Sequence, residues 1–414
     1  MRLKFRKGLD IGIPGAPRQV IDSTIPVERV GVVGSDYGPA RFDILVNEGE
    51  TVERGTPLIR ERKRPDIAVA APVSGMVEEI AVGARRRLSS IVIKTDGDAA
   101  VVFNTADTQM REGVRRLLLE SGSWTSFRTR PFDRIPDPDA DPSAIFVTAM
   151  DTRPHAVDAR VVFERHNDDF ARGIALLDQL TPAPTYVCHA PEMPFSSALG
   201  RALRIEVSGL HPAGLAGTHI HYIAPATRAK VAWHVHYQDV VAMGYLVRTG
   251  TLPAERVIAL SGPGLSDPRL VLAPSGADLV ELTRIHATPG DKRILSGSPL
   301  CGREARFLSR YHWQASVMLR DTGKAPSNWM MAALRHAAAP VPLIPTRALD
   351  YAFGTDLPVV ALLRALSTGD TEGAERFGAL ELAEDDLALA TYVTGGTTAF
   401  GALLRRMLDT LEAE

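Results

Sequence analysis

The apolar positions of this 414-residue chain change period several times along its length, and each period predicts a different kind of element. Between Val46 and Val82, short alternating runs are cut by Gly49, Gly55, Pro72 and Gly75. Turns at those points leave strands of only a few residues and predict a compact β-sandwich. From about residue 100, helical and extended patterns alternate. Asp107–Glu120 has helical spacing with Gly122 as its stop, and Asn167–Leu180 and Gln238–Thr249 read as further helices. Ala144–Thr148, Thr185–Cys188 and Arg256–Leu260 read as strands, so this stretch predicts a Rossmann-like α/β layer.

Beyond Gly262, Pro268–Gly276 reads as strand and turn, Asp278–Ile285 as a short helix and Lys292–Ser298 as a returning strand, which suits a small β-grasp unit. Proline recurs through Ala339–Pro345 and marks a linker. Helices are then expected at Pro358–Leu366, Thr371–Phe377, Glu384–Ala390 and Gly401–Glu414. In the last, Leu403, Leu404, Met407, Leu408 and Leu411 form an apolar stripe, the first candidate for a partner surface although such a stripe is also how a helix faces its own core. The expected fold is a multidomain α+β chain with a β-sandwich at 1–100, a Rossmann-like domain at 101–262, a β-grasp domain at 263–325 and a helical domain at 326–414. The acidic, proline-rich loop Asp133–Pro142 is expected to be mobile.

Composition narrows the function. A hydrophobic content of 45% allows substantial cores, and a net charge of −2 argues against a dedicated nucleic-acid binder. The basic run Arg85–Arg87 reads as a solvated loop. Met1–Lys7 is followed by Gly8–Pro14 rather than an apolar run, so no secretory signal is expected. No stretch approaches the ~18–20 apolar residues of a spanning helix, and membrane association would be peripheral or through partners. Two cysteines, Cys188 and Cys301, exclude a disulfide framework and any cluster needing four thiolates from this chain.

The sandwich resembles biotinyl and lipoyl carrier domains, yet Lys63 at the hairpin tip sits in Glu61-Arg-Lys-Arg-Pro rather than a carrier context, so a docking role is expected. A serine nucleophile elbow, a P-loop and a paired-histidine zinc helix are absent, and Gly209–Gly217 fits dinucleotide-binding spacing poorly. Around that turn lie His211, His219, His221, His234 and His236. On strands, each His-x-His pair would share one face and could ligate a metal. No carboxylate or thiolate completes the set, so backbone-bonded histidines and no metal are expected. Ser121–Phe132 admits two readings: Arg128 and Arg130 with neighbouring aromatics clamp an anionic or planar ligand, or Trp124 and Phe127 pin the loop in the core while the arginines pair with acids.

Lys7–Asp10 with Gly15–Pro17, Ser121-Gly-Ser-Trp with Arg128–Phe132, Ile145–Thr152, His211–His219, Tyr237–Val240 and Gly378–Leu382 are collinear over nearly the whole chain. Together they resemble the A subunit of the sodium-translocating NADH:quinone oxidoreductases. That resemblance implies a barrel-sandwich hybrid domain, a Rossmann-like domain, a β-grasp domain of the SLBB kind and a helical end, similar to the flavin and NADH subunit of respiratory complex I and to the Rnf complex C subunit. It implies a peripheral subunit on the cytoplasmic side of the bacterial inner membrane, with five partner subunits, B to F. FAD, FMN, riboflavin, the 2Fe-2S centre and the sodium path are then expected on the partners, with ubiquinone as the one ligand to be considered for this chain.

Those relatives carry a glycine-rich FMN loop where this chain has Ser123–Arg128, whose side chains are expected to fill the space of a phosphate and isoalloxazine. The expectation is a redox scaffold stripped of cofactors and not catalytic by itself, with Arg128, Arg130, Asp151, His211, His219 and His221 lining a vestigial crevice beyond the carboxyl ends of the strands. Departures from the family pattern are a shortened Gly302–Arg306, an Ala- and Pro-rich Asp321–Pro345, and Thr394-Gly395 where relatives look like Cys-Pro. They leave a stand-alone adaptor or small-molecule binding protein on the same scaffold as the alternative.

Overall fold

The computed structural model describes residues 1–195, 199–320, 345–396 and 398–414. The predicted linker thus lies outside the described residues apart from Pro345. Two small antiparallel sheets form the sandwich. One runs Arg29–Val33, Leu88–Thr95, Gly75–Val82, Thr51–Val52, and the other Phe42–Ile44, Pro57–Glu61, Ala68–Ala70. Leu58, Ile59, Ile67 and Ile91 are fully buried between them. Gly75 adopts φ +150°, and a Cβ there would come within 2.0 Å of the Lys94 carbonyl oxygen, so this corner admits only glycine.

The α/β layer is a six-stranded sheet in the order Arg2–Lys4, Leu203–Ser208, Thr185–His189, Ala144–Ala149, Ala232–His236, Arg128–Arg130. All neighbours are parallel except the last pair. The helices are α1 (Arg111–Glu120), α2 (Ala159–Leu180), α3 (Ala216–Ile223) and α4 (Tyr237–Thr249). Ile145, Val147 and Ala149 join the core that contains α2 and α4, whereas Ala144 and Phe146 join a second core with Ile220 of α3. A strand covered on both faces reads as one continuous apolar run, as this one does.

The α1 helix begins four residues later than its pattern suggests. Asn104–Thr108 satisfies its own backbone first: the Asn104 side chain accepts from the Ala106 amide and the Thr108 hydroxyl donates to the Thr105 carbonyl. In the other direction, α2 starts eight residues before the predicted Asn167, capped by Asp158, whose carboxylate accepts from the Arg160 amide. Polar residues around its kink at His166 (φ −127°, ψ 24°) interrupt the apolar stripe and hide the first two turns. Gly173 and Gly244 let α2 and α4 touch backbone to backbone, since a Cβ on Gly244 would lie 1.7 Å from the Asp169 carbonyl oxygen.

The second six-stranded sheet runs Arg303–Glu304, Lys292–Ser296, Gln314–Leu319, Arg256–Ser261, Arg269–Ala273, Arg18–Thr24. Arg256–Ser261 therefore belongs here and not to the Rossmann-like layer in which the sequence placed it; a buried apolar run does not encode which sheet will accept it. The first two strands of the chain are also edge strands of the two large sheets, not of the sandwich. Helix α5 (Leu279–Thr283) is capped by Asp278, which accepts from Val280 and Glu281 amides.

The helical end comprises α6 (Arg347–Ala352), α7 (Val359–Thr368), α8 (Thr371–Arg376), α9 (Ala388–Val393) and α10 (Phe400–Ala413). The stripe Leu404, Met407, Leu408 and Leu411 closes a core with Leu362, Leu366 and Phe400, so that face of α10 is internal and not a free partner surface. Where one helix was expected at Glu384–Ala390, a 3-10 turn at Glu384–Leu387 leads into α9. The Asp133–Pro142 loop is tied down: Trp124 Nε1 donates to the Pro136 carbonyl at 3.0 Å and Arg111 pairs with Asp141.

Candidate functional site

Arg128 and Arg130 lie on the one antiparallel strand of the α/β sheet, so Arg130 sits opposite Ala232, at the amino end of its neighbour. Arg128 donates to the Asp133 carboxylate at 2.7 Å and to the Asp36 carbonyl, and lies 4.6 Å over the Tyr311 ring. Arg130 is 4% exposed, donates to Asp133, and has His234 Nε2 at 2.8 Å. Burial alone would raise the Asp133 carboxyl, but Arg128 and Arg130 outweigh it and hold it well below the usual range. Burial and then the Arg130 charge press His234 down to about 4, so the neutral ring accepts from the guanidinium. Trp124 and Phe127 are fully buried against Trp233. This is the pinned-loop arrangement.

His219 and His221 are not on a strand. They occupy α3, where residues two apart point to different sides. His219 is fully buried and donates from Nε2 to the Ala213 carbonyl at 2.9 Å, and burial lowers it to about 4. His221 reaches Glu381 at 2.6 Å. His211 meets the Thr152 hydroxyl at 3.3 Å, and burial with the nearby Arg153 charge lowers it to about 4. Asp151 accepts from the Arg153 amide and guanidinium, and Arg153 continues to Asp385 at 2.6 Å. Among the described residues no group of three or more His, Cys, Asp or Glu side chains could hold a metal ion.

Of the six expected crevice residues only Asp151 lines the cleft of about 530 Å³ beside the carboxyl ends of Ala144–Ala149, Thr185–His189 and Leu203–Ser208. The others are drawn elsewhere, by the reversed edge strand in the case of the arginines and by the helix in the case of His219 and His221. What meets two of them, together with Arg153, is the segment Glu381–Asp386 of the helical end: His221 takes Glu381, Arg153 takes Asp385, and Arg130 faces Asp386 at 3.9 Å. Burial pushes the Asp386 carboxyl up to about 6 against the pull of Arg130.

A separate cavity of about 360 Å³ lies where the sandwich, the Ser121–Ser126 turn, α2, α4 and the second sheet meet. Ser121, Ser123, Thr125 and Ser126 line it while Trp124 is buried in the core. Trp124 and Phe127 lie in the core, as one of the two sequence readings of this loop has it. On the opposite wall Arg310 pairs with Asp239 at 2.8 Å and donates to Ser126 Oγ, and Asp36 accepts from the Arg310 amide and the Ser309 hydroxyl. Arg256 donates to the carbonyls of Ser309, Arg310 and His312. None of these charged residues was singled out by the sequence. Only the tertiary junction assembles them.

Fold and site together define a multidomain α+β scaffold with charged residues buried at its seams; no helix among the described residues is long and apolar enough to cross a membrane. The NqrA N-terminal barrel-sandwich hybrid domain matches residues 3–96, the NqrA second alpha/beta domain residues 109–252, and the NQRA C-terminal domain residues 257–306. The chain is 40% identical to the A subunit of the Na(+)-translocating NADH-quinone reductase of Photorhabdus laumondii, 38% to that of Haemophilus influenzae and 40% to that of Shewanella amazonensis, covering 100% of both chains in each case. The chain belongs to this family, the A subunits of the Na(+)-translocating NADH-quinone reductases.

Proposed function

We propose that the chain is the peripheral A subunit of a Na+-translocating NADH-quinone reductase, seated on the cytoplasmic side of a bacterial inner membrane. It serves there as a scaffold without flavin or iron-sulfur centre of its own. The observation that carries this reading is the full-length identity of 40% with a chain of that name. The cofactor-free role is supported by the cysteines: there are two, Cys188 is fully buried, and burial raises both thiols, Cys301 to about 12. FAD, FMN, riboflavin, 2Fe-2S and Na+ then reside on the five partners, B to F, and this chain contributes to quinone reduction by holding them in register.

The test is affinity purification of the tagged chain from native membranes in mild detergent, with mass spectrometry of partners and a flavin spectrum. Co-elution with membrane flavoproteins of the complex, and loss of all flavin once they are stripped away, is the expected result. A solitary, colourless chain would overturn the proposed membership of the complex in favour of a stand-alone adaptor, and flavin retained on the stripped chain would overturn the cofactor-free role.

A further inference from the structure

The β-sandwich, where the sequence suggests docking rather than a carrier arm, holds a groove of about 550 Å³. It is lined by Ala40–Ile44 together with Arg62, Val82 and Arg86–Leu88, the last from the turn that joins Gly75–Val82 to Leu88–Thr95. Phe42–Ile44 is an edge strand of its three-stranded sheet, with Pro57–Glu61 on its inner side. Side chains along a strand alternate between faces, so five consecutive residues all line one groove only where it runs along the free edge.

That edge offers unused backbone groups. The Arg62 amide donates to the Arg41 carbonyl and the Leu45 amide to the Leu58 carbonyl, which turns the intervening Phe42 and Ile44 amides and carbonyls outward. Among the described residues nothing pairs with these outward groups, and such an edge is a template for another strand.

Charge selects which strand it accepts. Arg41, Arg62, Arg86 and Arg87 line the groove against a single carboxylate, Asp43, and Arg62 takes that one at 2.7 Å. Arg41, Arg86 and Arg87 are exposed and pair with no carboxylate among the described residues. Such an edge repels a basic strand and the same edge of a second copy, and attracts an acidic one. Arg41 and Asp43 share one face of the sheet, and Phe42 and Ile44 the other. A strand that alternates acidic and apolar residues therefore meets the arginines with one face and continues the apolar surface with the other.

We infer that the sandwich binds a partner protein through an extended segment of alternating acidic and apolar residues, which adds as a strand to Phe42–Ile44. The inference does not depend on which complex the chain serves.

The probe is a short peptide in which glutamate alternates with valine, titrated into the full chain at low salt and followed by fluorescence anisotropy. Saturable binding is expected, and it should weaken roughly tenfold or more when lysine replaces glutamate or when the peptide's backbone amides are methylated. The first change reverses the charge, and the second removes the donors that strand pairing needs. Arg86→Glu combined with Arg87→Glu, both on an exposed turn, should weaken the glutamate peptide to the same degree and strengthen the lysine peptide. Ile44→Pro removes an outward amide and no ladder bond, and should abolish binding of the glutamate peptide. Should Ile44→Pro not fold, the methylated peptide still decides. The proposal is overturned if the glutamate peptide does not bind, if the methylated peptide binds equally well, or if the double variant binds like the wild type. Phosphatidylglycerol vesicles bound in place of the peptide, or a dimer of the chain seen by sedimentation in place of peptide binding, either one lost in the double variant, would give the groove another occupant and overturn it as well.

Discussion

Arg130 and Asp386 face each other at 3.9 Å across the seam between the α/β sheet and the helical end, with side chains only 5% and 8% exposed. Asp386 also accepts from the Ala383 amide at 2.7 Å, so one carboxylate both caps the start of a turn in its own unit and meets the charge of another. Arg130 in turn is shared with Asp133 and His234. The pair is one point of a longer charged seam that includes Arg134 with Asp409 and Arg228 with Glu375.

Removing the arginine should cost more than removing the acid. Arg130→Ala strips a buried, multiply paired cation and is expected to lower unfolding stability by about 3 kcal/mol. Asp386→Asn keeps an acceptor for the Ala383 amide and should stay within about 1 kcal/mol of the wild type at pH 7. Urea unfolding of both variants measures the difference, and equal losses would mean that Arg130 acts through Asp386 rather than through Asp133 and His234.

The approach of Asp386 depends on Gly217, where a Cβ would lie 2.6 Å from both carboxylate oxygens. Gly217→Ala should destabilise by about 1–3 kcal/mol through overpacking. In the double variant with Asp386→Gly the loss should shrink, and a thermal denaturation cycle would read that coupling.

Acid should unfold this protein early. His211, His219 and His234 have native pKa values of about 4, below the ordinary 6.5, so between those limits the unfolded chain binds more protons than the folded one. Their stabilising contribution is complete above pH 6.5 and is lost as the pH falls towards 4, at about 1.4 kcal/mol per pH unit for each ring fully protonated in the unfolded chain and neutral in the folded one. Asp386 has the opposite sign: its raised pKa of about 6 gives stability that is present below pH 3.8 and lost as the pH rises through 6. One carboxyl does not offset three imidazoles, so the urea midpoint should fall between pH 7 and 5, and His219→Gln should flatten that slope.

The thiols should be inert in the folded state. With Cys188 fully buried and Cys301 pushed up to about 12, iodoacetamide at pH 8 should alkylate the native chain at least tenfold more slowly than the urea-unfolded chain, as intact mass would report.

The architecture was legible where burial writes a local pattern. Ala144–Ala149, α4 and the sandwich turns stood out because continuous apolar runs, helical spacing and glycine corners are properties of adjacent residues. The fold class expected from those patterns and from the family resemblance holds. What was hidden is non-local. His219 and His221 looked like a strand pair because so short a run does not by itself tell a period of two from one of 3.6. Glu384-Asp-Asp looked like the start of a helix, and nothing next to it announces that Arg153 and Arg130 await it. Arg256 was an unremarkable first residue of a strand, and only its sheet partner and the Ser309–His312 carbonyls give it a role.

The two edge strands at the start of the chain set an order of events during synthesis. Arg2–Lys4 pairs with Leu203–Ser208, and Arg18–Thr24 pairs with Arg269–Ala273. Both segments leave the ribosome before their acceptors, so each must wait, unpaired, while about half the chain or more is made. When the acceptors arrive, the waiting segments close the edges of both large sheets and fasten them to each other. Neither sheet can be finished from within its own stretch of sequence.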